Sequence, residues 1–334
     1  MLGAVSDLRS SVPGLLEIAC DESGYEGEKL IGTTTDVFAH GSVQLDTAAA
    51  TDCMQELRRK IRSPATQYKA NHLLREKHRS VLRWILGPSA PLLGNAHVFL
   101  IDKAFFVVDK VVDLLLPADK DGMAVVLYRE GRRAFDSEQW EAFLVSANNL
   151  MRVKDRMDVR TSVESFMRMV EQLRKAKPQH QVAEILDLLW RARPEAEAFR
   201  ARLLDDPGMI SALDPLIPAI VEAVGYWGEG GKPVSIAHDR QKTLSEERIT
   251  QLKKLLGDSS GGRLAGLSFV SAETDPRVQV ADIIAGAARK IASDELNDRG
   301  DAELSALLRP HVDSCSVWGD DRSWSLLGPP RAQS

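Results

Sequence analysis

The sequence is poor in cysteine, and its three cysteines, Cys20, Cys53 and Cys315, form no CxxC pair. This small, odd set argues against a disulfide-stapled secreted protein and against a cysteine zinc motif. Long apolar runs are also missing, because no stretch approaches the roughly 20 apolar residues that cross a bilayer. Residues 1–14 lack the basic and apolar segments of a signal peptide. These absences predict a soluble, cytoplasmic protein with no membrane partner.

Positive charge is in short supply, with 48 acidic against 43 basic residues and a formal net charge of −5. This balance disfavours a protein that coats nucleic acid without specificity. It does not exclude a nuclease, because a cluster of metal-binding carboxylates is itself acidic. The chain has 334 residues, of which 44% are hydrophobic. That is enough apolar material for a sizeable core, in one enlarged domain or in two units.

Apolar periodicity divides the chain into short strands and longer helices. Strands are predicted over 14–20, 36–45, 96–101, 234–238 and 267–271, and helices over 47–62, 71–86, 245–256 and 277–291. Gly41, inside the second strand, is interpreted as a possible bulge. The pattern predicts an α/β fold whose core comprises 1–103 and 228–327. The nearly all-helical segment 104–227 is interpreted as a helical insertion or cap, and 328–334 as a flexible tail.

Three predicted strands end in an acid, namely Asp21, Asp102 and Asp239. Sites in open α/β sheets form outside the carboxyl ends of the strands, so these side chains point towards one crevice. For any one of them, the role of a turn former or helix N-cap is about equally plausible. Glu22 is interpreted as a solvated neighbour of Asp21 slightly more readily than as a ligand, because consecutive strand residues diverge in direction.

Asp282 gives the sharpest signal, because it sits inside an apolar helix in the run Val-Ala-Asp-Ile-Ile. Burial of an unpaired carboxylate is costly, and Arg277 and Arg289 stand at poor helical offsets from it. A divalent metal shared with Asp21 and Asp239 would satisfy its charge. Hard oxygen ligands favour Mg²⁺ or Mn²⁺. The histidines in the strand patterns, His40, His97 and His238, are interpreted as structural residues.

Three motifs together resemble the bacterial domain of unknown function family 3800. They are Asp21-Glu-Ser-Gly24, Ile236-Ala-His-Asp239 and Val278-Gln-Val-Ala-Asp-Ile-Ile-Ala-Gly286. The resemblance covers roughly 14–102 and 232–293. It implies a ribonuclease H-like mixed sheet flanked by helices, whose acids bind two divalent metals. Within it Asp21, Asp239 and Asp282 match the metal ligands and catalytic acids, and Glu22 matches a further position of the motif.

One position departs from the family pattern. Tyr68, just before Lys69, stands where many members carry an acid. A full four-acid site would then need another carboxylate, and Asp102, Glu273 and Asp275 are the candidates.

The leading hypothesis is a metal-dependent phosphodiesterase or nuclease acting on RNA or DNA, with Mg²⁺ or Mn²⁺ bound by the acids. Lys69, Lys103 and Lys242 are the candidate phosphate contacts. The alternative is a non-catalytic interaction protein of a defence or mobile-element system. Such a protein would bind a partner, or a second copy as a homodimer, through the helical segment 104–227.

Overall fold

A computed structural model describes residues 14–62, 73, 75–116, 122–153, 159–176, 180–206, 211–241, 244–257 and 263–329. Predictions that concern Tyr68, Lys69 and Lys242 lie outside these described residues, as does most of the predicted tail.

The centre of the fold is a five-stranded mixed sheet, which confirms the α/β prediction. Its strands are β1 (Leu16–Ser23), β2 (Val37–Val43), β3 (Ala96–Asp102), β4 (Pro233–Asp239) and β5 (Arg263–Val270), in the order β3-β2-β1-β4-β5. The first three form an antiparallel meander, and β4 and β5 run parallel to β1. The carboxyl ends of β1, β3, β4 and β5 therefore meet at one edge of the sheet.

Three details of the strand prediction are wrong, one being that β5 begins at Arg263 instead of residue 267. The first strand continues to Ser23, so Asp21 lies within β1 instead of ending it. Gly41 forms no bulge, because β2 pairs in unbroken register with both of its neighbours. A strand ends where its backbone pairing ends. Pairing with the antiparallel strand β2 extends β1 beyond the apolar residues 14–20.

Thirteen α-helices surround the sheet within the described residues. They are α1 (Thr47–Ile61), α2 (Arg79–Leu86), α3 (Lys103–Leu115), α4 (Met123–Ala134), α5 (Ser137–Met151), α6 (Val159–Lys175), α7 (His180–Arg191), α8 (Arg193–Asp205), α9 (Leu216–Trp227), α10 (Glu246–Gly257), α11 (Pro276–Leu296), α12 (Ala302–Leu308) and α13 (Asp321–Leu327). The predicted helical character of 104–227 is thus confirmed where the chain is described.

The two faces of the sheet have different coverings. On one face, Ile18, Phe38 and Phe99 share a buried core with α3 to α9, and we call it the helical-block face. On the other, Ala19 and Val98 share a core with α1, α2 and α11, and we call it the α11 face. Odd-numbered residues of β1 point to the α11 face and even-numbered residues to the helical-block face, as strand alternation requires.

Small residues allow α11 to lie unusually close to the sheet. A Cβ on Gly41 would come within 2.8 Å of Ile284 Cγ2 and 2.9 Å of the Ala281 carbonyl oxygen. Both distances are shorter than carbon–carbon and carbon–oxygen packing permits, so the contact requires glycine. The backbone of Ala281 and Ala285 on α11 therefore lies directly against Gly41 of β2.

Candidate acidic site at the carboxyl edge of the sheet

Asp21 and Asp239 lie next to each other on the α11 face. The parallel strands β1 and β4 pair Cys20 with His238, and each acid follows one residue later. Alternation then turns both carboxylates away from the helical-block face, where Cys20 points. Two acids far apart in the sequence are thereby placed on adjacent strands.

Asp282 lies on α11, the helix that covers this face of the sheet. Asp21 pairs across the sheet with Gly41, and Gly41 lies directly beneath the turn of α11 that contains Ala281 and Ala285. Asp282 belongs to that turn. Its carboxylate is close enough to raise the pKa of Asp21 by repulsion.

The electrostatics of Asp21 reflect this crowding. The side chain is buried, with 6% exposed, and its Oδ1 accepts a hydrogen bond of 2.8 Å from the Glu22 amide. Burial, followed by repulsion from Glu22, Asp282 and Asp239, raises the pKa of Asp21 to about 9. A nearby cation would relieve both effects, because it stabilises the ionised carboxylates.

A loop contact orients Asp239. The Oδ1 atom of Asp239 accepts from the Ala272 amide at 3.2 Å, and Gln279 Nε2 donates to the Ala272 carbonyl at 2.6 Å. Ala272 thus links the strand-end acid to the first turns of α11. No role was predicted for Gln279, which belongs to the motif around Asp282. The signal available was its spacing of three from Asp282, which puts both on neighbouring positions of one helix face.

Glu22 points to the opposite face, as the divergence argument expected. Its Oε1 accepts a hydrogen bond from Gln241, and its Oε2 lies 3.7 Å from His238 Nε2. Burial raises the pKa of Glu22, while His238 and Gln241 oppose the shift. Glu22 therefore acts on Asp21 through its charge while its own oxygens face Gln241 and His238.

Of the acids considered as a replacement at the fourth position, Asp102 and Asp275 are helix N-caps. Asp102 caps α3, accepting from the Ala104 and Phe105 amides at 3.1 Å, and also accepts from Tyr128. Asp275 caps α11 and forms an ion pair with Arg277 at 2.7 Å. Glu273 is solvent-exposed. The capping alternative weighed for strand-end acids is thus the outcome for Asp102.

Both arginines near Asp282 have other contacts. Arg277 also reaches Glu17 on β1 at 2.5 Å, which fastens the start of α11 to the sheet. Arg289 Nε donates to Ser23 Oγ at 2.9 Å.

Of the three candidate phosphate contacts, Lys103 is the one described. Its side chain is 1% exposed, and its amine donates to the Thr35 and Thr33 hydroxyls. Burial lowers the pKa of Lys103 to about 8, opposed by Glu26 and Asp36. Lys103 is thus not a surface lysine, and it lies in the wall of a cavity.

The three histidines that were interpreted as structural residues are buried. His40 and His238 are fully buried and stack at 5.5 Å between ring centroids. His97 is 1% exposed and bonds through Nε2 to Asp313 Oδ2 at 2.5 Å.

A second group of potential ligands was missed by sequence reasoning. Glu222, Asp313 and Cys315 bring one ligand atom each to within 4.8 Å of one another, and this cluster could hold a metal ion. Within the described residues, Asp21, Asp239 and Asp282 do not form so tight a trio. Cysteine spacing gave no hint of the cluster, because Glu222 comes from α9 and the other two from the segment before α13.

Comparison of the chain with protein-family models, curated proteins and solved structures finds no match. Among the helices of the described residues, none combines the length and apolar character needed to span a membrane.

Proposed function

We propose that this chain is a divalent-metal-dependent phosphodiesterase or nuclease with a ribonuclease H-like fold. The observation that carries the proposal is the buried carboxylate of Asp21, with Asp239 and Asp282 close enough to raise its pKa. Three acids from β1, β4 and α11 converge although 261 positions separate Asp21 from Asp282. Accumulating like charges without a cation is energetically costly, so the arrangement favours a metal site.

The fold supports the proposal through its order of strands. An antiparallel β1-β2-β3 meander extended by parallel β4 and β5 is the kind of mixed sheet that the family resemblance implies. The acids lie at the carboxyl edge, where α/β sheets bind ligands.

The donor set fits Mg²⁺ or Mn²⁺, because it consists of carboxylate oxygens. The family resemblance implies two such ions, which Asp21, Asp239 and Asp282 would hold. Such ions, when bound, activate water and stabilise a leaving oxygen. The protein's part is positioning: the Glu22 amide orients Asp21, and the Ala272 amide orients Asp239.

The test is Mn²⁺ binding by calorimetry on the wild type and on Asp21→Asn/Asp282→Asn. The matched control is Asp109→Asn/Asp113→Asn, which removes two carboxylates from α3. We expect the first variant to lose binding and the control to keep it, with circular dichroism unchanged in both. Cleavage of RNA and DNA in Mg²⁺ or Mn²⁺ should follow the same pattern. Equal Mn²⁺ binding by all three proteins would refute the site, and absence of hydrolysis by metal-loaded wild type would refute the activity.

The interaction-protein hypothesis gains no support from the helical block. Its large apolar side chains that are exposed in the described residues are Val145, Leu204 and Tyr226, on three different helices. Single exposed apolar residues are ordinary on monomeric proteins. Binding of a partner or a second copy through 104–227 stays a prediction.

A further inference from the structure

A second set of polar groups lies behind the acidic site, on the helical-block face of the sheet. Glu22 on β1 stands opposite His40 on β2, and His238 lies on β4, the parallel neighbour of β1 on its other side. Successive strand residues point to opposite faces. Asp21 and Asp239 therefore face α11, while Glu22 and His238 face the helical block.

Four atoms of this set are buried and have no hydrogen-bond partner among the described residues. They are Glu22 Oε2, His238 Nε2 and both ring nitrogens of His40. His40 and His238 are 0% exposed, and the side chain of Glu22 is 11% exposed. Buried polar atoms are nearly always bonded to protein, water or an ion. Four unpartnered atoms in one place therefore indicate that the place suits a ligand.

The other contacts of His238 and Glu22 decide what the unpartnered atoms can do. His238 Nδ1 donates to the Asp239 carbonyl at 2.9 Å, because a carbonyl oxygen can only accept. In the neutral ring Nε2 then keeps its lone pair, as in most metal-bound histidines. Glu22 Oε1 accepts from Gln241, so Oε2 is the oxygen left for a ligand.

These two atoms, His238 Nε2 and Glu22 Oε2, face each other at 3.7 Å. No lysine or arginine pairs with Glu22 in the part of the chain that the structure describes. Two acceptors this close repel each other, and a cation between them turns the repulsion into attraction. Bonds of about 2.0–2.2 Å from one ion, at an angle of about 110–120°, separate two such ligand atoms by about 3.4–3.6 Å. The observed separation therefore requires little movement.

His40 supplies a third nitrogen. Its ring stacks on that of His238 with 5.5 Å between the centroids. Burial, followed by repulsion from His238 and His97, lowers the pKa of His40 well below its usual value, so the ring is neutral and able to ligate. Within the described residues, no nitrogen of His40 lies within 4.8 Å of both other ligand atoms. Rotation about the side-chain bonds of His40 is needed to complete the set.

We propose that Glu22 and His238, with His40 as third ligand, bind a divalent transition-metal ion such as Zn²⁺. Mixed imidazole and carboxylate donors favour such an ion over Mg²⁺. The partly exposed Glu22 gives the ion a route from the edge of the sheet. The bound ion fastens β1 to β4, the strands that carry Asp21 and Asp239. This site is separate from the acidic site and does not depend on the proposed function.

The test is Zn²⁺ binding by calorimetry in the background variant Asp21→Asn/Asp282→Asn/Cys315→Ser, which removes ligands from both other candidate groups. We expect one Zn²⁺ per chain in this background. Added Glu22→Gln keeps the shape of the side chain and removes a direct ligand, so it should weaken binding at least about a hundredfold. Added Gln241→Ala removes only the bond to Oε1 and should weaken binding about tenfold.

A matched histidine control separates ligation from burial. His311 is also buried and has an unpartnered ring nitrogen, but burial and backbone carbonyls, not a carboxylate, set its environment. His238→Gln and His40→Gln should each weaken Zn²⁺ binding in the background variant, whereas His311→Gln should not. Circular dichroism checks the fold of each variant. Nitrogen-15 NMR should also show a Zn²⁺-dependent shift of His238 Nε2 and none for His311.

Two results would overturn the inference. One is no Zn²⁺ binding by the folded background variant, which would leave a proton or a water molecule between the two acceptors. The other is undiminished binding when Glu22→Gln is added. Failure of Mn²⁺ binding at the acidic site bears only on the proposed function, because the background variant already lacks two of those acids.

Discussion

The two faces of the sheet are packed by different kinds of residue. The helical-block face buries nearly all of the core aromatics, among them Phe38, Phe106, Phe143 and Phe166. The core of the α11 face is aliphatic with many alanines, and Trp318 is its buried aromatic residue. Aromatic side chains bury the largest areas and keep helices well separated from a sheet. Alanine and glycine do the reverse, because they let backbones approach.

This difference assigns separate tasks to the faces. The large side chains on the helical-block face stabilise the fold because they bury apolar surface. Closeness on the α11 face lets Asp282, a short side chain on a helix, reach acids on the strands. The following variants should separate stability from site formation.

The largest effect is expected on the helical-block face. Phe143 is fully buried and stacks on Trp140 at 5.3 Å between ring centroids. Phe143→Ala should lower the free energy of unfolding by about 3–5 kcal/mol, because it removes buried area and leaves a cavity. Urea denaturation measures the loss, with exposed Val145→Ala on the same helix as the control. Mn²⁺ affinity of the folded protein should not change, and a parallel loss of affinity would show that the faces are not independent.

A smaller, pH-dependent effect is expected at Asp102, which ends β3 and accepts a hydrogen bond from Tyr128 of the helical block. Burial raises the pKa of Asp102 to about 6 despite its bond from Tyr128. The folded state therefore holds the proton more tightly than the unfolded state, whose aspartate has a pKa of about 3.9. Stability from this group is greatest below pH of about 4 and falls by roughly 2–3 kcal/mol as pH rises to about 6.

The comparison of wild type with Asp102→Asn isolates this contribution. Asparagine retains the capping oxygen and cannot ionise. The difference in unfolding free energy between the two proteins should change across pH 4–6 and stay constant above it. A difference that is independent of pH would contradict the assignment.

The smallest change in the free energy of unfolding is expected on the α11 face. Gly41→Ala puts a methyl group against Ile284 and the backbone of α11. We expect a loss of about 1–3 kcal/mol from overpacking, together with loss of Mn²⁺ binding, because the helix must move away from Asp21. Gly266→Ala on β5 is the control, since its Cβ would meet only Ser235 Oγ at 3.4 Å. Normal Mn²⁺ binding by Gly41→Ala would mean that the close approach does not build the site.

Much of this molecule was predictable from local pattern. Alternating and 3.6-residue periodicities are properties of neighbouring residues, so they located β2, β3, β4, α1 and α11 within a few positions. The same patterns identified Asp21, Asp239 and Asp282 as acids in unusual contexts. Strand alternation also predicted that the side chains of Glu22 and Asp21 diverge in direction. The end of β1 was missed because it depends on pairing with β2.

The tertiary structure alone decided which distant residues meet. The order of the strands, the burial of Lys103 on the Thr33 and Thr35 hydroxyls, and the link from Gln279 through Ala272 to Asp239 all join segments far apart in the chain. The cluster of Glu222, Asp313 and Cys315 is of the same kind. The sequence by itself determined the elements and the residue types that each one presents, because backbone geometry is local. Which elements became neighbours depended on the burial of both sheet faces at once, and no local pattern records that.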